Sequence, residues 1–283
     1  MQGRLKLSEK QPFRIYEKPE LQSSSLVVGW SEDAGKLGAK VIDYLNKKLG
    51  GKEFAEIEPA DFFSLGGVSV EGDVAQFPES KFYWCQQKNL VVLQSYSPRS
   101  DWHRFMGAVL DVAELYCHVK ELYTIGGMVS LSAHTAPREL LAIANSPEMR
   151  KVLSQYDIAR DFDYETPPGQ RPTLSSFLLW VAKRRNMAGA SLWVPVPFYL
   201  VSTEDPQAWR ITVEFLDKRF GLGIDFRDLD EEVARQNEKI AQVRIRFPEI
   251  DDYIRKLEGN LGVTQEENEK LVKEIEEFLR KRD

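Results

Sequence analysis

The sequence predicts an α/β fold of a Rossmann-like kind: a mostly parallel sheet covered by helices on both faces, followed by a charged helical appendage. Two observations carry this. Short β-branched apolar runs alternate with stretches of about a dozen residues at helical spacing, which is the pattern of βαβ units. Beyond residue 226 that alternation stops, and apolar residues recur in steps of four and three among many charges. The expected division is an N-terminal segment over 1–24, an α/β body over 25–226 and a helical segment over 227–283.

The body opens on SLVVGW, residues 25–30, an apolar run ending in glycine, after which Leu37, Val41, Ile42 and Leu45 fall on one helical face. Residues 54–57 form a second short strand. Residues 81–87 and 90–96, separated by Lys88 and Asn89, read as a hairpin or two neighbouring strands. Asp101 caps a helix in which Phe105, Val109, Val112, Leu115 and Tyr116 share a face. ELYTIGG, residues 121–127, is a further buried strand ending in glycines. A helix over 172–187 then presents Leu174, Phe177, Leu178 and Val181, and a strand over 191–196 is closed by Pro195 and Pro197. The next helix, 206–220, stops at Gly221. Val27, Val28, Val92, Leu93, Ile125 and Val194 are the expected core of the sheet.

In the tail, Leu229, Val233, Gln236, Ile240, Val243, Phe247, Ile250, Ile254 and Leu257 form a heptad seam with one polar interruption. Pro248 divides it into helices over about 228–246 and 248–258. A last amphipathic helix, about 264–281, carries Leu271, Val272, Ile275, Phe278 and Leu279, with Thr264 and Glu267 as a capping box. Helices of this length are marginal alone in water, so the seam predicts an apolar partner: the body, a neighbouring helix or a second subunit of a homo-oligomer.

Composition narrows the function classes. A formal charge of −6 opposes polyanion binding, so no nucleic-acid partner is expected. Residues 226–283 hold 16 acids and 12 bases, an interleaved face rather than a single-sign arm. No apolar stretch approaches the roughly 20 residues that span a bilayer, so no membrane partner is expected. The polar start, residues 1–10, lacks the core of a signal peptide, and Cys85 and Cys117 read as reduced thiols, which together predict a cytoplasmic location.

Two segments gather polar chemistry. GWSEDAGKLG, residues 29–38, joins a strand to a helix, where backbone amides could hold an anion. Its Gly29, Gly35 and Gly38 match neither a dinucleotide fingerprint nor a P-loop, and the alternative is a structural turn with Asp33 near a helix cap. GGMVSLSAHTAPREL, residues 126–140, brings Ser130, Ser132, His134, Thr135 and Arg138 to a strand end. Either His134 and Arg138 meet an anionic ligand or partner, or they bond neighbouring carbonyls and carboxylates. The candidate ligand-binding set is Asp33, Gly35, Gly127, His134, Thr135 and Arg138. His103, His118 and His134 lack metal-ligand spacing, Cys117 and His118 diverge by about 100° on a helix, and no nucleophile elbow occurs, so no metal, cofactor or catalytic residue is assigned.

GWSEDAG, AEIEPADFF, the GG…HTAPR stretch, YETPPGQ…L and WVPVPFY, in that order and closing on DYIRKLEGN, resemble the PAC2 family, the proteasome assembly chaperone 2 type. The resemblance implies a three-layer fold similar to purine nucleoside phosphorylases, oligomer formation and, in some relatives, help in assembling proteasome rings. Two departures stand out. The chain ends Lys281-Arg282-Asp283 where chaperone relatives carry a hydrophobic-Tyr-any docking tail, and it reads YETPPG where the family has glycine and proline sooner after tyrosine. Two functions follow: a non-enzymatic oligomeric scaffold or assembly-chaperone-like protein, or a nucleotide- or nucleoside-binding protein or ATP-grasp-like or phosphorylase-like enzyme built on Asp33, His134, Thr135 and Arg138.

Overall fold

A computed structural model describes residues 11–63, 69–71, 73–159, 163 and 165–280. Residues 1–10 of the N-terminal segment, Tyr164 of the YETPPG departure, and the Lys281-Arg282-Asp283 end lie outside the described residues. In chain order the elements are β1 (Phe13–Ile15), β2 (Ser25–Trp30), α1 (Leu37–Leu49), β3 (Lys52–Ile57), β4 (Ser69–Glu71), β5 (Val74–Gln76), β6 (Ser80–Cys85) and β7 (Leu90–Ser95). Then come α2 (Trp102–Cys117), β8 (Glu121–Ser130), β9 (Leu141–Ala144), α3 (Pro147–Leu153), α4 (Leu174–Arg184), β10 (Ala188–Pro197) and α5 (Pro206–Phe220). The tail supplies α6 (Arg227–Arg246), α7 (Pro248–Glu258) and α8 (Gln265–Arg280).

Among the described residues, eight strands form one sheet in the order β1-β3-β6-β7-β2-β8-β10-β9, and β4 pairs with β5 alone. The sheet is mixed, which corrects the expectation of a mostly parallel one. Its central strands β7, β2, β8 and β10 are parallel, whereas β1, β3, β6 and β9 join antiparallel. The connections explain the difference. A parallel return needs a crossover of a dozen or more residues, which α2 provides between β7 and β8 and the stretch through α3 and α4 provides between β8 and β10. β6 and β7 are joined by only Gln86–Asn89, where Asn89 takes a φ of 51°, so β7 turns straight back on β6.

Alternation along the central strands sends side chains into two cores. Val27, Val92, Ile125 and Val194 pack with α1, α3, α5 and the tail helices, and Val28 and Leu93 pack with α2 and α4 on the opposite face. All six expected core residues are fully buried. Leu115 differs from expectation: it points out of α2 and is exposed, while Phe105, Val109 and Val112 hold the buried face. Asp101 caps α2 as anticipated, accepting from the Arg104 amide at 3.3 Å.

Pro248 breaks the tail as foreseen, and the Thr264–Glu267 capping box forms in both directions, at 2.8 and 3.3 Å. The seam is covered within the chain. Leu229, Ile240, Val243, Ile250, Ile254, Leu257, Leu271 and Ile275 are buried against α5, one another and the turn at Phe198–Leu200. The polar interruption, Gln236, donates to the Glu204 carbonyl at 2.6 Å. A seam consumed this way offers no apolar stripe to a second subunit.

Ile240 is fully buried, so Ile240→Ala is expected to lower the unfolding free energy by about 2–5 kcal/mol in urea titration. A change under about 0.5 kcal/mol, the size of a surface substitution, would show that α6 does not pack on the body.

Candidate functional site

The candidate residues meet where β2, β8 and β10 end. After β2 the chain makes a 3-10 turn, Ala34–Lys36, with Gly35 at φ 69° and Lys36 at φ 51°, before α1 begins. Left-handed backbone at Gly35 is what glycine permits, and a side chain there would press on Asp205 and Val196. Gly29 and Gly38 serve packing: a Cβ on Gly29 would overlap the Gly38 carbonyl and one on Gly38 the Trp30 backbone, because α1 crosses β2 at that point.

Asp33 fills the anion position that this geometry creates. Its Oδ2 accepts from the Gly38 amide in the first turn of α1 at 2.9 Å and from the Gly127 amide of β8 at 3.1 Å. A carboxylate of the chain thus occupies the helix N-terminus and ties β2 to β8. Gly127 has no room for a side chain, since a Cβ would overlap the Ala34 carbonyl. The other oxygen, Oδ1, is buried with no hydrogen-bond partner. Burial pushes the Asp33 carboxyl up to about 7, against the opposing pull of the Gly38 and Gly127 amides.

Arg138 lies beside this turn as half of a buried ion pair with Asp205, the two side chains 4% and 0% exposed. Its guanidinium also reaches the carbonyls of Pro195 at 3.4 Å and His134 at 3.3 Å, leaving Nε buried and unpartnered. Asp205 caps α5 as well, accepting from the Ala208 amide at 3.2 Å. Burial raises its carboxyl, and Arg138 opposes that shift.

His134 is held by Tyr199. The Tyr199 oxygen accepts the His134 amide at 2.6 Å and lies within hydrogen-bond distance of the ring, 2.8 Å from Nδ1. Burial, then the charge of Arg138, lower the His134 pKa to about 4, and an uncharged ring at neutral pH gives an anion no ion pair. Thr135 donates to Glu258 at 3.0 Å, and Glu258 is paired with Arg244 at 2.7 Å, which also binds Asp251 at 2.6 Å. Through this chain of contacts the strand-end loop is fastened to α6 and α7.

All six candidate residues therefore join one region, bonded to one another or to partners from distant segments. Asp205, Tyr199, Glu258 and Arg244 were not singled out from the sequence. Asp205 was legible as the residue before Pro206 at a helix start. Tyr199 lay in the WVPVPFY motif with nothing to mark it as the partner of His134. The adjoining surface groove, about 360 Å³, is lined by the charged Arg138 and Glu139 together with small or apolar groups such as Met128, Ser130, Pro195 and Pro197. Among the described residues, no cluster of His, Cys, Asp and Glu could hold a metal, and no helix is long and apolar enough to cross a membrane.

Residues 26–244 match the PAC2 family. The chain belongs to the PAC2 family. No curated protein sequence matches it significantly. Among solved structures it is similar to a Mycobacterium tuberculosis protein of unknown function, at 21% identity and TM-score 0.75, covering 88% of each chain. It is also similar to PbaB, an archaeal proteasome activator of Pyrococcus furiosus, at 21% identity and TM-score 0.66, over 82% of this chain and 98% of that one. A proteasome-assembly chaperone homologue of M. tuberculosis aligns at 16% identity and TM-score 0.66, over 81% and 99%. Likeness at this identity speaks for the PAC2 fold.

Arg138→Met is expected to cost about 3–5 kcal/mol of stability because it strands the Asp205 carboxylate, and Arg138→Met with Asp205→Asn should recover much of the loss. Chemical denaturation of both variants checks this; a double variant no better than the single would show that packing, not charge, is at stake.

Asp33 gives a pH dependence of defined sign. An acid whose folded pKa, about 7, exceeds the ordinary 3.8 binds its proton more tightly when folded, so stability falls as pH rises between those values. Asp33→Asn should gain stability relative to the wild type from pH 4 to pH 7. A constant difference between the two denaturation curves would refute a raised Asp33.

Proposed function

We propose that this protein is a non-enzymatic oligomeric scaffold of the assembly-chaperone kind, acting on other proteins rather than on a small substrate. One observation carries the reading. At the carboxyl ends of the parallel strands, where α/β sheets hold their ligands, Asp33 sits on the amides that would cradle an anion. Arg138, the cation there, is already paired with Asp205, and burial lowers the His134 pKa to about 4. Family membership, and likeness to a proteasome activator and a proteasome-assembly chaperone homologue, support protein assembly as the role.

Finer parts of the reading rest on the same features. Parallel central strands with α1 and α5 on one face and α2 and α4 on the other support kinship with Rossmann-like and phosphorylase-like sheets. Residues 25–226 act as the body, and 227–283 as a helical layer laid on it. Cys85 and Cys117, unpaired and buried, suit a reducing cytoplasm.

The test has two arms. Thermal shift with ATP, adenosine and inorganic phosphate should give no stabilisation, although a ligand at 100 times its Kd would contribute roughly 2.7 kcal/mol. Purified proteasome α-subunits from the source cell should form rings faster with the chain than without it. A ligand-dependent shift abolished by Asp33→Ala, with no effect on ring formation, would overturn the scaffold reading in favour of a nucleotide or phosphate binder.

A further inference from the structure

The last helix, α8, is fastened to the body differently from the other tail helices. Asp230 of α6 pairs with Arg210 at 2.8 Å, Gln236 of α6 donates to the Glu204 carbonyl at 2.6 Å, and Glu258 of α7 accepts from Thr135 at 3.0 Å. The polar ties of α8 stay inside the tail. Glu267 pairs with Lys256 of α7 at 2.5 Å and Lys270 with Glu249 of α7 at 2.6 Å, and its other hydrogen bonds and ion pairs among the described residues fall within 264–280. What α8 offers the body is apolar: of its 16 residues Leu271 and Ile275 are buried, and Val272, Phe278 and Leu279 partly so, against the turn Phe198–Leu200.

Two further observations set α8 apart. The family match ends at residue 244, so α8 lies beyond it, whereas the turn it covers lies within it. The connection from α7 runs through Gly259, Asn260, Leu261 and Gly262, all exposed, with Asn260 at φ 55° and open space around Gly262. A few exposed residues between two helices, two of them glycines, are what a hinge requires.

We infer that α8 is a displaceable strap, which swings on Gly259–Gly262 and yields its seat over the Phe198–Leu200 turn to an amphipathic helix of a partner protein. The seat defines the chemistry of that helix, because α8 fits it. The incoming helix carries apolar residues at i, i+4 and i+8, as Leu271, Ile275 and Leu279 do, an acid at i−4 to meet Lys256 and a base at i−1 to meet Glu249. Recognition by apolar anchors at helical spacing is the helix-in-groove mode. While α8 is seated, a partner gains access only in the fraction of chains whose strap is open. The strap names the class of partner for the scaffold reading and in that respect rests on it.

Native-state hydrogen exchange of the full chain is the first test. The amides of α8 should exchange at least about 100-fold faster than those of β8, β10 and α5, through an opening in which those three elements stay protected. Exchange of α8 only in step with β8 and β10 would overturn the strap. The second test opens the seat by substitution. Leu271→Asp with Ile275→Asp should leave a body that still unfolds cooperatively. A fluorescent synthetic peptide of residues 264–280 should bind this variant about 100-fold more tightly than the wild type, the inverse of an open population of about 1%. The same peptide carrying both aspartates should not bind. A variant without a cooperative transition, a peptide that distinguishes neither protein, or binding that survives the aspartates in the peptide would each overturn the inference. No proteasome subunit enters these measurements, so they decide the strap, and the ring-formation assay decides the scaffold reading.

Discussion

The ion pair between Arg138 and Asp205 is the constraint on which the strand-end region depends. Two charges removed this far from water cost several kcal/mol each unless they satisfy one another, so every segment carrying one of them must arrive in register. Arg138 comes from the loop between β8 and β9, and Asp205 from the cap of α5. Gly35, held against Asp205 by a left-handed turn, brings in the connection from β2 to α1. The pair thus fixes the relative positions of three connections that diverge widely in sequence.

Around that pair, polar groups are arranged as fasteners. Asp33 joins β2, α1 and β8 through two amides, Tyr199 clasps His134 on both its amide and its ring, and Thr135 bonds Glu258, which pairs with Arg244 of the tail. Such networks rigidify when satisfied and penalise when broken. The two atoms left over, Asp33 Oδ1 and Arg138 Nε, mark where satisfaction is incomplete, and the raised Asp33 carboxyl is the electrostatic expression of it.

The tail shows how one apolar pattern serves different ends. Heptad spacing over 229–257 is compatible with a coiled coil between chains, yet here it wraps the body, with Lys256 and Glu267 at 2.5 Å tying α7 to α8. What distinguishes the outcomes is the surface awaiting the seam. The turn Phe198–Leu200 and the outer face of α5 are apolar and adjacent in the same chain, so intramolecular closure meets no loss of translational freedom.

Local rules read from the sequence located the elements that depend on local physics. Apolar alternation marked β2, β7, β8 and β10; helical spacing marked α1, α2, α4, α5 and the tail; and Asp101, Pro248 and the Thr264–Glu267 box set their ends. Edge strands were lost because β1 and β9 are three or four residues long, too short for a periodic signal. The polar cluster from Gly126 to Arg138 was visible as composition, and the fold brings Asp33 from a separate segment to its Gly127. Its meaning was not visible. Whether Arg138 faces a ligand or Asp205, and whether His134 is charged or clasped by Tyr199, turns on residues 67 and 65 positions away. Sheet direction, burial and pKa are likewise properties of neighbours brought together only by the completed fold, because desolvation and pairing are set by what surrounds a group in space and not by what adjoins it along the chain.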